Sequence, residues 1–381
     1  MATLIWLRVV TVGLIGFVAW HGELWAIPLS ILVPCLVAIQ PTRLVASGTP
    51  VVYYAAASTP VIAVAKSYWP SLGWRAVLLW ITAAAILSLP SALCWNRRKS
   101  RRPWTTAVAV ALSAVPPLCI LGWASPLVSA GVLFPSAAWL GIIASVALPS
   151  LLLCESTRGT ALFTAAVASL VLNFQAKPLQ TPSGWEAEAT CIHRQLTGDD
   201  LAEFSIEERL QSVAISSGRA FLVFPETAVR RWTDASDVFW TEAIAGSGKT
   251  LLIGASLPIK GSHLYNNAVV IVGKHRRPPV YQRVPVPGGM WNPFRREGGF
   301  EVNLFAPGTV VVGGERAAIL ICYEQLLVWP MLRSAIENPT ILVAVSNEAW
   351  TAGTRVPRIQ HACVRAWARL FGLPVLSAIN S

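Results

Sequence analysis

Three residues that could carry chemistry follow three apolar segments in the second half of the chain. Glu226 follows Ala-Phe-Leu-Val-Phe-Pro, Cys322 follows Ala-Ala-Ile-Leu-Ile, and Asn347 follows Ile-Leu-Val-Ala-Val-Ser. Short apolar runs are typical of buried strands, and functional residues in layered α/β proteins gather where strands end. Only a few per cent of a thiol is ionised near neutral pH, so a nucleophilic cysteine needs a base such as a carboxylate. The three positions therefore predict a site for nucleophilic chemistry by Cys322.

Such a site needs a framework, and the second half of the sequence alternates predicted strands with predicted helices. The helices are predicted over residues 200–217, 236–246, 329–337 and 355–371. The strands are predicted over residues 220–225, 250–256, 267–272, 317–322, 340–346 and 373–379. This alternation indicates α/β layers with buried sheets.

The first half of the chain is far more apolar than the second. Charged residues make up 13% of the 381 residues, about half of what soluble proteins carry. Residues 1–174 contain ten Lys or Arg and only two Asp or Glu. This composition excludes a disordered chain and a disulfide-stapled miniprotein, and it favours a membrane protein. We therefore predict a transmembrane helical region over 1–174, with six or seven spans, and an extracytoplasmic domain over 175–381. The candidate spans are 3–20, 24–40, 51–65, 76–95, 104–124, 130–154 and 160–174.

The formal net charge is +11, and five basic residues lie in one run over 97–102. A basic run between two apolar stretches is typical of a cytoplasmic loop under the positive-inside rule, so no nucleic-acid partner is expected. Placing this run in the cytoplasm puts residues 175–381 on the other side. The prediction is an integral membrane protein whose C-terminal domain lies outside the cytoplasm. In a Gram-negative bacterium this would be the inner membrane, and the domain would be periplasmic.

Two other patterns predict no chemistry. Residues 243–250 satisfy a loose phosphate-loop pattern, but a predicted helix precedes them and a strand follows, which is the reverse of the order that phosphate binding needs. The sequence has no CxxC or other metal-ligand spacing, so neither a metal nor a cofactor is expected. Cys191 and Cys363 are expected to be structural, either paired or separate.

Five motifs have the order and spacing of a known superfamily. They are Phe-Pro225-Glu226-Thr-Ala, Tyr265-Asn266-Asn267-Ala, Ile-Cys322-Tyr323-Glu324, Ser346-Asn347-Glu348-Ala-Trp350 and Gln360-His361. Together they resemble the nitrilase (carbon–nitrogen hydrolase) superfamily. Its apolipoprotein N-acyltransferase branch also joins an N-terminal multispan region to a periplasmic nitrilase-like domain. The segment that begins Arg283-Val-Pro-Val-Pro-Gly-Gly additionally resembles plasmid conjugal transfer proteins of the TraB type. The resemblance implies a multispan α-helical membrane region followed by an α/β nitrilase-like αββα sandwich.

The resemblance also implies a Cys-Glu-Lys mechanism. Cys322 would attack an acyl carbonyl to form a thioester, and Glu226 would act as the general base. The amide of Tyr323 is a natural donor to the oxyanion, and Glu324 would support the site through hydrogen bonds. Asn347 is also assigned to the supporting residues. Trp350 could line an acyl entrance or equally be a packed core aromatic.

The third catalytic position departs from the family. The family's lysine lies in a Tyr-x-Lys segment, and the matching segment here is Tyr281-Gln282-Arg283. We therefore predict Arg283 as the third catalytic residue, although an arginine remains charged and cannot deliver a proton. A supporting glutamate of the family is also replaced, since Gly288-Gly289-Met290 stands in its place.

Two hypotheses of function follow. The first is a membrane-anchored thiol acyltransferase or amidase that takes a lipid or amide acyl donor, with a membrane phospholipid as donor or a lipoprotein as acceptor. The alternative is a catalytically inactive nitrilase-fold component of a conjugation apparatus, with conjugation proteins as partners. The substitution at Arg283 favours the alternative, while the retention of Cys322 and Glu226 favours the enzyme.

Overall fold

The computed structural model describes residues 2–192, 200–275, 277–294 and 297–381. The chain forms two compact units. The helical unit comprises Met1–Pro178, Leu326–Trp329 and Gly353–Gly372. The sheet unit comprises Leu179–Gln325, Pro330–Ala352 and Leu373–Ser381. Cys322, Glu226 and Asn347 all belong to the sheet unit.

The N-terminal part of the helical unit is built from apolar helices of unequal length. They are α1 (Ala2–Ala19), α2 (Val33–Ala38), α3 (Arg43–Ala57), α4 (Pro60–Tyr68), α5 (Arg75–Leu87), α6 (Leu89–Cys94), α7 (Arg102–Ala114), α8 (Ala130–Leu133), α9 (Ala138–Leu153) and α10 (Arg158–Gln175). Proline and short 3₁₀ segments separate many of them, because a proline cannot donate the hydrogen bond that would continue a helix. Thr42 caps α3 by accepting from the amide of Val45.

One helical stretch among the described residues, Arg75–Cys94, is long and apolar enough to cross a membrane. The pair α3 and α4 passes the same test together, but the two helices meet at an angle of 62° just before Pro60. Shorter apolar helices lie at Thr3–Ala19, Leu24–Ala38 and Ala138–Leu153. A region of six or seven spans is therefore not confirmed and stays a prediction.

The sheet unit contains two sheets. The strands are β1 (Trp185–Ala187), β2 (Phe221–Val223), β3 (Thr250–Pro258), β4 (His263–Val272), β5 (Val280–Tyr281), β6 (Glu297–Phe300), β7 (Thr309–Val312), β8 (Glu315–Ile321), β9 (Ile341–Asn347) and β10 (Val375–Asn380). The first sheet has the order β1-β2-β3-β4-β5, with β6 paired to β4, and the second has the order β10-β9-β8-β7. Strands β1, β2 and β3 run parallel, and so do β8, β9 and β10.

The two sheets pack face to face over one apolar core. Val223, Leu252 and Val269 of the first sheet share this core with Ile319 and Val343 of the second. A second core covers the other face of the first sheet, where α11 (Asp200–Ser216) and α12 (Asp234–Ala243) pack through side chains such as Leu210 and Trp240. The layered α/β fold predicted for the second half of the chain is confirmed.

Two further helices complete the described fold. Helix α13 (Val328–Ala335) follows the turn that begins at Cys322. Helix α14 (Val356–Phe371) was predicted as a helix of the second half, and the structure places it in the helical unit. It crosses α8 at a position where only glycine fits, since a Cβ on Gly131 would lie 1.8 Å from the carbonyl oxygen of Ala366.

Candidate active site

Cys322 lies at the sharp turn between β8 and a short 3₁₀ helix, Cys322–Leu326. Its φ is +51°, in the left-handed region that costs a residue other than glycine about 1–3 kcal/mol. Strained strand-to-helix turns of this kind present a nucleophile at the end of a sheet. The residue as a whole is partly exposed.

Glu226 lies just beyond the end of β2 and is 3% exposed. The turn that carries it rests directly on β3, because a Cβ on Gly254 would lie 2.2 Å from the carbonyl oxygen of Pro225 and 2.6 Å from Cα of Glu226. The carboxylate accepts hydrogen bonds from Nδ2 of Asn267 at 2.7 Å and from the amide of Asn347 at 2.9 Å. Glycine at 254 therefore allows the close approach that positions the base.

Cys322 and Glu226 form a hydrogen-bonded pair, and burial raises the pKa of both groups. For Glu226, desolvation outweighs the hydrogen bonds from Cys322, Asn347 and Asn267, which favour the carboxylate. For Cys322, desolvation is again the largest cause, and both the negative charge of Glu226 and its hydrogen bond raise the thiol pKa further. The resting pair is therefore a neutral thiol that donates to a carboxyl group, which is the arrangement that general-base activation of a thiol requires.

Two backbone amides lie at the sulfur. The amides of Asn347 and Tyr323 both act on Cys322 and lower its pKa, although less than burial and Glu226 raise it. An amide one residue after the nucleophile is a suitable donor to an oxyanion that forms on the attacked carbonyl. The predicted contributions of Tyr323 and Asn347 therefore reside in their main-chain N–H groups. The side chain of Asn347 instead donates to Oγ1 of Thr227 at 2.8 Å.

Arg283 does not lie beside the pair. Its guanidinium is fully buried and uses all five N–H groups elsewhere: Nε and Nη2 donate to Glu324, Nη2 also to Ile319 O, and Nη1 to Pro330 O and Ser334 Oγ. The ion pair with Glu324 is 3.1 Å long. Because a guanidinium has five N–H groups, none remains for an oxyanion at Cys322. The structure thus brings Cys322 and Glu226 together and places Arg283 in a separate network.

Glu324 links the hydrogen-bond network of Arg283 to the turn at Cys322. Its carboxylate also accepts from the amides of Arg283, Val284 and Ile321 at 2.6, 3.2 and 3.0 Å. Ile321 immediately precedes Cys322, so the Arg283–Glu324 ion pair anchors the end of β8 next to the cysteine. The supporting role of Glu324 in the chemistry stays a prediction.

Gln282, the residue before Arg283, is linked to the pair through its neighbours. Its Nε2 donates to the carbonyl of Ile321 at 3.0 Å, and its Oε1 accepts from Nδ2 of Asn267 at 3.1 Å. Asn267 in turn donates to Glu226, so a chain of neutral amides runs from Gln282 to the base. Oδ1 of Asn267 is buried and has no partner among the described residues. Neither side chain was assigned to the site from the sequence, although both lie within its motifs.

Comparison with known proteins places the sequence in a family. The chain is 33% identical to conjugal transfer protein TraB of Agrobacterium fabrum over 395 aligned positions, which cover 96% of this chain and 90% of that protein. The chain belongs to the TraB family of conjugal transfer proteins. No family model matches the sequence.

The TraB-family chain is also similar to an apolipoprotein N-acyltransferase of Wolinella succinogenes, at 26% identity over 46% of this chain and 45% of that protein. Among solved structures, an amidase from Nesterenkonia sp. AN1 matches 53% of this chain and 79% of its own, at 14% identity and a TM-score of 0.39. The predicted resemblance to TraB proteins and to an apolipoprotein N-acyltransferase is confirmed.

The remaining predicted residues lie outside the hydrogen-bonded centre of the TraB-family site. Trp350 is 39% exposed in a 3₁₀ segment, Ala349–Thr351, which follows β9, so it is not a packed core aromatic. All seven cysteines are free, with Cys191 exposed and Cys363 buried, so these two do not form a disulfide. Among the described residues no group of His, Cys, Asp and Glu could hold a metal ion.

Proposed function

We propose that the chain is a membrane-associated enzyme of nitrilase type that transfers or hydrolyses an acyl group through a thioester on Cys322. One observation carries the proposal: the thiol of Cys322 is hydrogen-bonded to the buried carboxyl group of Glu226. A purely structural network does not need a thiol on a strained turn beside a desolvated base. Perturbed groups in such a setting are typical of functional sites.

The proposed reaction has two halves. In the first, Glu226 takes the proton of the Cys322 thiol while the sulfur attacks the acyl carbonyl carbon, and the amide of Tyr323 donates to the oxygen that becomes negative. The tetrahedral intermediate collapses to a thioester, and Glu226 returns its proton to the departing amine or alcohol. In the second half, Glu226 removes a proton from an incoming amine or water. That nucleophile attacks the thioester, and the thiol of Cys322 leaves and recovers its proton.

A membrane setting for this chemistry is supported by the helical unit. Residues 1–174 contain two acidic residues, and large apolar side chains such as Phe163, Leu170 and Phe174 are more than two-thirds exposed. Exposed apolar surface on this scale marks a face that lies against another apolar phase. We propose an integral protein of a bacterial inner membrane with a periplasmic sheet unit, a lipid or amide as acyl donor, and a role in conjugal transfer.

A second function, a non-catalytic component of a conjugation apparatus, is favoured by one specific observation. After β5, the neutral amide of Gln282 joins the hydrogen-bond network of the base, while the guanidinium of Arg283 has no free donor. A site without a cation stabilises an oxyanion less well than one with a lysine. The two functions differ in whether Cys322 ever carries an acyl group.

Intact-protein mass spectrometry distinguishes them. The purified full-length chain is incubated with a p-nitrophenyl ester of a short fatty acid and with a phospholipid, and the acylated peptide is then mapped. We expect an acyl adduct on Cys322 that hydroxylamine removes, and a loss of about 100-fold or more in the rate of its formation in Glu226→Gln. Cys191→Ser is the matched control, because it removes an exposed thiol of the same unit. An adduct confined to Cys191, or none on any cysteine, would establish the non-catalytic function.

A further inference from the structure

Three arginines on three different helices gather at one end of the helical unit. Arg8 lies in α1, Arg43 begins α3 and Arg102 begins α7. Their guanidinium groups converge on the loops at 39–40 and 95–96. Arg8 donates to the carbonyl of residue 39 at 3.1 Å, and Arg43 donates to that of residue 95 at 3.2 Å. Arg102 donates to the carbonyls of residues 96 and 40, at 3.1 and 3.5 Å. We call these three residues the arginine cluster.

No described carboxylate compensates the positive charge of the arginine cluster. In the part of the chain that the structure describes, no carboxylate lies within ion-pair distance of the three side chains. The only acidic residues before position 175 are Glu23 and Glu155, and both are exposed. Arg8 also lies close enough to Arg102 for their like charges to interact unfavourably. Like charges that are held together without a counter-charge are expected where an anion binds.

Polar side chains without partners lie on the same two loops. Gln40 is fully buried, and within the described residues neither Oε1 nor Nε2 of its amide has a hydrogen-bond partner. The same holds for Nε1 of Trp95, whose side chain is 9% exposed and whose ring lies 5.7 Å from the Arg102 guanidinium. Leaving a buried polar group unsatisfied costs about 1–3 kcal/mol. The unpaired side chains of Gln40 and Trp95, next to three arginines, therefore indicate a binding site for a polar ligand.

An open groove runs beside Arg102 of the arginine cluster. Trp95, Asn96 and Arg102 line its polar end. Most of the other lining residues are apolar, among them Val37, Leu87 and Val110. A ligand that matched both the arginines and the apolar lining would have an anionic headgroup and an apolar tail.

We propose that the arginine cluster and this groove bind an anionic phospholipid, with its phosphate at Arg8, Arg43 and Arg102 and part of an acyl chain in the groove. Arginine presents paired N–H groups that match the oxygens of a phosphate, and basic pockets between helices are known binding sites for anionic headgroups. Gln40 and Trp95 would donate to the headgroup from the side of the loops. All of these residues belong to the helical unit, so the site is distinct from Cys322 and Glu226 and does not rest on the proposed reaction.

Ligand-dependent stability of the purified full-length chain in detergent tests the proposal. We expect phosphatidylglycerol to raise the Tm by several degrees and phosphatidylcholine or inorganic phosphate at equal concentration to raise it much less. Arg102→Gln and Arg8→Gln should each remove most of the rise. Arg97→Gln is the matched control, because it removes an exposed arginine of the same basic run and should retain the rise. A rise in Arg102→Gln equal to that of the wild type would overturn the site, and an equal rise with inorganic phosphate would overturn the lipid assignment.

Gln40→Met separates binding from folding. Because the wild-type side-chain amide has no partner among the described residues, the substitution should leave the Tm of the lipid-free protein equal or higher. The same variant should bind phosphatidylglycerol about tenfold more weakly in a native mass spectrometry titration, the change expected when roughly one hydrogen bond to a charged group is lost. Unchanged lipid affinity in Gln40→Met and in both arginine variants would contradict the proposal even if every variant folds.

Discussion

At Cys322 one carboxyl group acts on the thiol in two opposite ways. As a base, Glu226 can accept the thiol proton during attack on a carbonyl. As a negative charge and hydrogen-bond acceptor, it raises the thiol pKa and keeps the sulfur protonated at rest. Removal of Glu226 should therefore have opposite effects on two kinds of reaction. It should speed reactions that need only the thiolate and slow reactions that need a proton acceptor.

Glu226→Gln tests this opposition. Alkylation by iodoacetamide needs only the thiolate, so at pH 8 the variant should react several-fold faster than the wild type, because its thiol pKa is lower. Acylation by an ester should fall instead, because the base is gone. In the wild type, acylation should increase with pH as Glu226 loses its proton, at a pH above the usual 4.5 because burial raises that pKa. Rates measured from pH 4 to 10 for both reagents provide the check. If alkylation and acylation both slowed in the variant, Glu226 would instead be stabilising a resting thiolate.

At the scale of elements, the site depends on how closely the turn after β2 approaches β3. Gly254→Ala would place a methyl group 2.2 Å from a backbone oxygen, and backbone cannot move aside as a flexible side chain can. We expect a loss of about 1–3 kcal/mol in stability and at least tenfold in acylation of Cys322, because the turn that carries Glu226 must shift. Thermal denaturation and adduct formation measure the two effects. Gly218→Ala is the control, since no atom lies within 4 Å of its Cβ position, and it should change neither. Wild-type acylation in Gly254→Ala would mean that the position of the turn does not determine activity.

Strand ends were predictable from the sequence, but side-chain direction in a short strand was not. The runs before Glu226, Cys322 and Asn347 are long and apolar enough to indicate buried strands, and the structure has β2, β8 and β9 there. Strand β5 has two residues, so no alternation of polar and apolar positions is readable in it. Successive side chains of extended backbone point to opposite faces, and a shift of one residue exchanges Gln282 for Arg283. Which sheet each strand joins was equally unreadable, because it depends on pairings between distant segments.

At the scale of the whole molecule, the helical unit is not one continuous stretch of the chain. Helix α14 comes after nine of the ten strands, yet it packs with helices that precede all of them. Besides the contact at Gly131, Arg369 donates to Asn173 and to the carbonyl of residue 131. A division of the chain at residue 175 would separate α14 from these partners. The helical unit can therefore complete its folding only after almost the entire chain has been made.

Gly131→Ala should weaken the packing of α14 against α8. The added Cβ would lie 1.8 Å from the carbonyl oxygen of Ala366, so α8 and α14 must separate. Cys363, which is fully buried in α14, then becomes the reporter. Burial raises its thiol pKa, so the wild-type residue should resist a maleimide reagent, and in Gly131→Ala its labelling should be at least tenfold faster. Peptide mapping assigns the modified cysteine. Gly159→Ala in α10 is the matched control, because nothing lies within 4 Å of its Cβ position, and Cys363 should stay protected there. Equal protection of Cys363 in the two variants would mean that α14 holds its place without the close crossing at α8.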